Sequence, residues 1–251
     1  MGIFQDNQQL NVFIVGASGG IGLSFVKFLQ QYSNVNRIYA SYRRPESAVD
    51  LLNIPNMNCL KMDVTIEEEI SQAIKIISQE ITQLHLVINC VGILHEDKLQ
   101  PEKSLAQVNS ANLLHYFQVN SIASILLAKH LLPLFKHNQD SIFASISAKV
   151  GSIGDNRLGG WHGYRASKAA LNMFMRNIAI EYSRKSPKTT VVSLHPGTTD
   201  TQISRPFQKN VPPEKLFSVE RTVSQLLTVI GNLTIADSGE FFSYDGTKLP
   251  W

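Results

Sequence analysis

Near its amino end the chain reads Asn11-Val12-Phe13-Ile14-Val15-Gly16-Ala17-Ser18-Gly19-Gly20-Ile21-Gly22. The first five residues, rich in β-branched and aromatic side chains, make a short buried strand. They run straight into a turn of pattern G-x-x-x-G-x-G. Residues 21–31 then read as a helix, with Ile21, Phe25, Phe28 and Leu29 on one stripe. Glycine admits backbone angles closed to other residues and lets another group approach the main chain. The first helical turn offers free N–H groups and a partial positive charge, which suits a phosphate. An ordinary glycine-rich turn is the plain alternative, but the place between strand and helix favours a dinucleotide site. Its candidate contacts are Gly16, Ser18, Gly19, Gly20, Ile21 and Gly22.

Outward from this unit, apolar strands keep alternating with helical stretches. Further strands are expected at 37–42, 57–62, 84–89, 141–147, 189–194 and 240–244. Helices are expected from Thr65, as cap, to about Gln83, over 105–119 and on to 135, over 161–184 and over 214–230, with 206–213 as a loop. Such alternation argues for α/β architecture: a doubly wound parallel sheet of about seven strands, with helices on both faces. No linker, repeat or low-complexity tract divides residues 1–251, so one domain is the simplest expectation.

Composition narrows the function. The 251 residues are 43% hydrophobic and 17% charged, which excludes a disordered chain. The net charge of +3 comes without a basic run, which argues against a nucleic-acid partner. Only Cys59 and Cys90 occur, with no metal-binding spacing, so no metal site is expected and a reducing compartment fits. Residues 1–6 lack a secretory signal, and Asp6 stands where myristoylation wants a hydroxyl. The apolar stretch 122–135 is broken by Lys129, His130 and Pro133. A cytoplasmic protein away from membranes is the expectation.

The end of the second strand selects the dinucleotide. An acid there would bind a ribose 2′-hydroxyl, yet the chain has Tyr42, Arg43 and Arg44, and the next acid is Glu46 beyond Pro45. Two guanidinium groups suit a 2′-phosphate, so NADP(H) is preferred over NAD(H). A solvated turn is the bland reading of the same residues. Further on, Tyr164 and Lys168 are four apart and share a helix face. A nearby ammonium lowers a phenol's pKa, which readies it for proton transfer. Most such pairs are surface pairs, so their weight comes from the rest of the chain.

Together these pieces resemble the short-chain dehydrogenase/reductase family, whose Rossmann-type fold they match in order over nearly the whole chain. Asp63-Val64 is similar to the pair that holds adenine in the family, and Asn89-Cys90-Val91-Gly92 to its Asn-Asn-Ala-Gly. Asn120 resembles the residue that organises an active-site water. Pro196-Gly197 with Thr201 resembles the segment closing over the nicotinamide. The likeness is greatest to the C-factor-like branch, named for a protein of cell–cell signalling, through 145–153, 155–161 and the ending 244–251.

The resemblance implies hydride transfer between nicotinamide and a small carbonyl or alcohol. It gives Tyr164 as acid or base, Lys168 as its partner and ribose contact, and Asn120 as water holder. The family's carbonyl-orienting serine falls at Ala148, leaving Ser147 as the nearest hydroxyl, with Ser145 and Ser152 behind it. Strand alternation puts Ser147 and position 148 on opposite sides. Loss of that serine keeps open a cofactor-binding signalling module with weak turnover. The stripe Ala169, Met173 and Ile180 reads as core or subunit interface, and the resemblance implies a homodimer or homotetramer paired through the helix that carries Tyr164 and Lys168. The substrate is expected between 152–161 and the loop 198–213, where Ile203 and Phe207 offer apolar walls. His162 and His195 lack ligand spacing, and Trp161 and Trp251 read as anchors.

Overall fold

β1 (Leu10–Val15) is apolar on both faces: Val12 and Ile14 enter one core, Phe13 and Val15 the other. A strand with two buried faces needs helices above and below it. The structure, a computed structural model, describes residues 8–96 and 98–251; the 1–6 stretch read above lies outside them. β1 is followed by α1 (Gly20–Leu29), β2 (Val35–Tyr42), α2 (Val49–Leu52), β3 (Asn58–Lys61), α3 (Glu67–Glu80) and β4 (Leu86–Asn89). Then come α4 (Ser110–Phe117), α5 (Ala123–Phe135), β5 (Ser141–Ile146), α6 (His162–Lys185) and β6 (Thr189–His195). The short strands β7 (Thr198–Thr199) and β8 (Leu216–Phe217) pair with each other, and α7 (Val219–Asn232) and β9 (Phe241–Ser243) end the order.

Seven strands form one sheet in the order β3-β2-β1-β4-β5-β6-β9, all parallel. This is the expected doubly wound architecture. One core packs α1 and α7 through Phe25, Val26, Leu226 and Ile230. The other packs α3, α5 and α6 through Ile74, Leu127, Met175 and Tyr182. The chain reverses its winding between β1 and β4, and the crevice outside the carboxyl ends of these strands is where such sheets bind ligands.

Local chemistry moved several boundaries. Thr65 does not cap α3: its hydroxyl donates to Asp63 Oδ1 at 2.7 Å, and Ile66 precedes the helix without a side-chain cap. α3 stops at Glu80, because Ile81 is extended to bury its side chain. α7 starts later than expected, where Ser218 Oγ accepts the Arg221 N–H. The expected loop 206–213 holds a 3₁₀ turn, Arg205–Asn210. Between α4 and α5 the backbone widens into a π turn, Gln118–Ile122, with Asn120 at its middle. On α6 the stripe expected to be core or interface is not core: Met173 is 61% and Ile180 45% exposed, while Leu171, Met175 and Ile178 are buried. Among the described residues no helix is long and apolar enough to cross a membrane.

Candidate active site

The turn after β1 is held open by close packing. Gly16 has a left-handed φ of +80°. A Cβ on Gly22 would lie 2.2 Å from the Gly16 carbonyl oxygen, so only glycine lets α1 start against the turn. Gly19 precedes α1 without a side-chain cap, and the first-turn N–H groups remain for an anion. This turn forms the floor of a cleft of ≈ 1070 Å³.

Most of the residues singled out from the sequence line that cleft. Ser18, Tyr42, Arg43, Asp63, Val64, Cys90, Val91 and Gly92 are among them. So are Ser147, Tyr164, Lys168, Pro196, Gly197 and Thr201. Arg44 is exposed and lies outside the lining, so Arg43 alone reaches in. Its Nη2 is 3.6 Å from Glu96 Oε1, and Glu96 also receives His115 Nε2 at 2.8 Å. Asn89 sits beneath the cleft: its Nδ2 donates to Ser124 Oγ and its Oδ1 accepts the Val91 N–H, which shapes the turn above.

Asn120, carried inward by the π turn, is buried. Its Oδ1 accepts the Ile93 N–H at 2.7 Å, and its Nδ2 donates to Ile93 O and Ser167 Oγ, both at 3.0 Å. It therefore ties the loop after β4 to α6. Lys168 is 3% exposed, and its Nζ donates to Ile146 O at 3.0 Å. Both side chains converge on Gly92: a Cβ there would lie 3.2 Å from Lys168 Nζ and 3.4 Å from Asn120 Oδ1.

Burial sets the charges. It lowers the Lys168 ammonium from 10.5 to about 8 and pushes the Tyr164 phenol up to about 12. Burial is the cause of the upward shift of Tyr164, and it works against the lowering expected from Lys168. The phenol is protonated at neutral pH. His195, at the end of β6, is pushed down to about 4 chiefly by burial, and its Nδ1 accepts the Lys149 N–H, so it is neutral.

The hydroxyls considered for orienting a carbonyl are otherwise engaged. Ser147 Oγ donates to Asn172 Oδ1 at 2.7 Å, on the α6 side of the sheet. Ser145 Oγ meets Ser124 Oγ at 3.3 Å, and Ser152 Oγ accepts the Asp155 N–H. Ala148, in the cleft wall, carries no polar group there. Two residues escaped the sequence reading. Asn172 continues the 164, 168 spacing along α6, a signal that was available. Glu102, buried in a loop, contacts α6 across a long chain separation and gave none.

With this geometry in view, the sequence matches the short chain dehydrogenase family over residues 10–212. The chain belongs to the short-chain dehydrogenase family. An uncharacterized oxidoreductase of Schizosaccharomyces pombe is 29% identical over 253 aligned residues, covering 95% of this chain and 97% of that one. The C-signal protein of Myxococcus xanthus is 31% identical over 148 residues, 59% of this chain and 84% of its own. The NADPH-bound carbonyl reductase from chicken fatty liver superposes with a TM-score of 0.86 at 28% identity, covering 97% of this chain and 100% of that one.

This short-chain dehydrogenase is thus an oxidoreductase whose fold binds a nicotinamide cofactor. The residues fit such a group. A Cβ on Gly19 would project into open space with nothing within 4 Å, which leaves room for a pyrophosphate above the uncapped start of α1.

Proposed function

We propose that this short-chain dehydrogenase is an NADP(H)-dependent carbonyl reductase or alcohol dehydrogenase, built as one domain with 198–213 as its substrate loop. The observation that carries the reading is the placement of Tyr164 and Lys168, one turn apart on α6, in the wall of a cleft floored by the glycine turn. No acid stands directly at the end of β2, where Arg43 enters the lining ahead of Glu46 and Asp50, and that guanidinium supports a 2′-phosphate. The chicken carbonyl reductase, described as NADPH-bound, supports the same choice.

The nicotinamide supplies or accepts a hydride, and the chain's own residues manage the proton. Gly16 to Gly22, with Ser18, would hold the pyrophosphate. Asp63 and Val64 would hold the adenine, and Cys90, Val91 and Gly92 would contact the cofactor. Pro196, Gly197 and Thr201 would hold the nicotinamide. Tyr164, protonated at neutral pH, donates to the carbonyl oxygen. Lys168 holds the ribose and places positive charge beside the phenolate that donation leaves. Asn120 would hold a water that relays protons from Lys168. Ser147 lines the cleft, and its hydroxyl, which donates to Asn172, would orient the carbonyl by turning from that amide.

NADPH and NADH titration followed by NADPH oxidation on a panel of aldehydes and ketones tests this. Turnover that survives Tyr164→Phe removes the proton donor. The absent hydroxyl at 148 favours a second reading, a cofactor-binding signalling module. NADPH binding without turnover of any carbonyl is its signature. The exposed Met173 and Ile180 on α6 support pairing of two copies in a homodimer or homotetramer. The two free thiols support a reducing cytoplasm.

A further inference from the structure

Gly159, Gly160 and Trp161 lie in the left-handed region in succession, at φ +62°, +65° and +50°. The glycines adopt it freely; Trp161, with a Cβ, is strained there. Such strain persists only where surrounding groups enforce it. Glu102 hydrogen-bonds the chain at this point. Its backbone oxygen accepts the Trp161 N–H, and its Oε2 accepts the Gly163 N–H at 3.1 Å. It grips the chain on both sides of the turn into α6.

The carboxylate is an unusual choice for this place. Glu102 is 2% exposed, and its Oε1 has no hydrogen-bond partner. A buried carboxylate with one donor is costly, and the positive end of a 24-residue helix offsets that cost. Gly163 makes the approach possible: a Cβ there would lie 2.5 Å from Tyr116 Cδ2 and 3.0 Å from Glu102 Oε1. The result of the grip is the position of the indole. The Trp161 ring stands edge-on to Tyr164 at 6.2 Å and to Phe207 at 5.1 Å, and both rings line the cleft.

We propose that Glu102 is a positioning residue that pins the left-handed turn, so that Trp161 forms the fixed wall of the substrate site beside Tyr164. Phe207, on the 3₁₀ turn Arg205–Asn210, packs edge-on against the indole and continues that wall onto the substrate loop. This rests on the reading of Tyr164 as proton donor. Glu102 touches neither substrate nor cofactor; it acts through the backbone of 161 and 163.

The chain has two tryptophans, so a Trp251→Phe background leaves Trp161 as the sole indole reporter. In that background Glu102→Gln keeps an acceptor for the Gly163 N–H, and Glu102→Ala removes it. The Ala variant is expected to red-shift Trp161 emission and make it more open to acrylamide quenching. Its carbonyl-reduction kcat/KM is expected to fall about tenfold, mostly in KM, with the NADPH Kd held within about twofold. The Gln variant is expected to match the parent in emission and rate.

Unchanged Trp161 emission and quenching in Glu102→Ala, or a Gln variant as damaged as the Ala variant, would overturn the proposal. If Glu102→Ala does not fold, Glu102→Gln decides: parent-like emission supports the acceptor role and shifted emission overturns it. The fluorescence arm needs no turnover. A parent protein that reduces no carbonyl while the variants behave as expected therefore removes the proposed activity and leaves the positioning of Trp161 standing.

Discussion

Replacing Lys168 by Met is expected to make the protein more stable and inactive. Lys168 is buried with one hydrogen bond, to Ile146 O, and burial holds its ammonium at about 8 where a solvated lysine stands at 10.5. Each tenfold loss of proton affinity costs about 1.4 kcal/mol, so the buried charge costs about 3 kcal/mol at neutral pH. Met fills nearly the same volume without charge. It leaves the Ile146 carbonyl unpaired, at about 1 kcal/mol. The net gain is about 2 kcal/mol, or about 4–8 °C in Tm for a chain of this size.

The sign of the pH dependence follows from the same shift. The folded pKa lies below the unfolded one, so the unfolded chain binds more protons between them. The penalty is complete below about 8, shrinks as pH rises and is gone above 10.5. Wild-type stability, measured by urea unfolding, should therefore rise towards that of Lys168→Met between these values. A variant less stable than wild type at pH 7, or a gap that ignores pH, would refute the reasoning. Loss of carbonyl turnover by about 10²-fold or more in the same variant would show that the cost is retained for function.

Arg43→Ala should weaken NADPH binding by about 10–100-fold and spare NADH, while Arg44→Ala changes either by no more than about twofold; titration of both cofactors separates the two arginines. Glu96→Gln frees Arg43 from its carboxylate partner and should tighten NADPH, not NADH, by about two- to fivefold in the same assay. Ala148→Ser restores a donor in the cleft wall and should raise kcat/KM by about tenfold, whereas Ser147→Ala should lower it and cost about 1–3 kcal/mol in urea unfolding, because Asn172 loses its partner. Gly22→Ala should cost at least about 1–3 kcal/mol and abolish cofactor binding, since its Cβ meets the Gly16 carbonyl; denaturation midpoints and NADPH titration read both effects.

The architecture was legible because β1 and its glycine turn combine a period, a length and a breaker that few other folds use together. Strand alternation did not decide between Ser147 and Ala148: β5 ends at Ile146, both residues line the cleft, and the partner that engages Ser147, the Asn172 amide, lies on α6. The state of Tyr164 was not legible. Spacing showed a lysine one turn away, but how much water both groups lose depends on the loops of β4 and β6 that cover them. Nor was Arg44 separable from Arg43, since adjacent residues at a strand end diverge only once the turn is built. Glu102 was hidden for a related reason: its partners are backbone N–H groups, which leave no mark in a sequence.

The parallel sheet also has a consequence for how the chain is made. Among the described residues the seven strands of the sheet pair only in parallel, so each of those pairings waits for an intervening crossover. β6 waits on its outer side for β9, which is made only after the β7–β8 pair and α7. Until then the unpaired row of amides along 193–195 is open to strands of other nascent chains. Chains cut short before Phe241 should therefore aggregate rather than lose activity gradually.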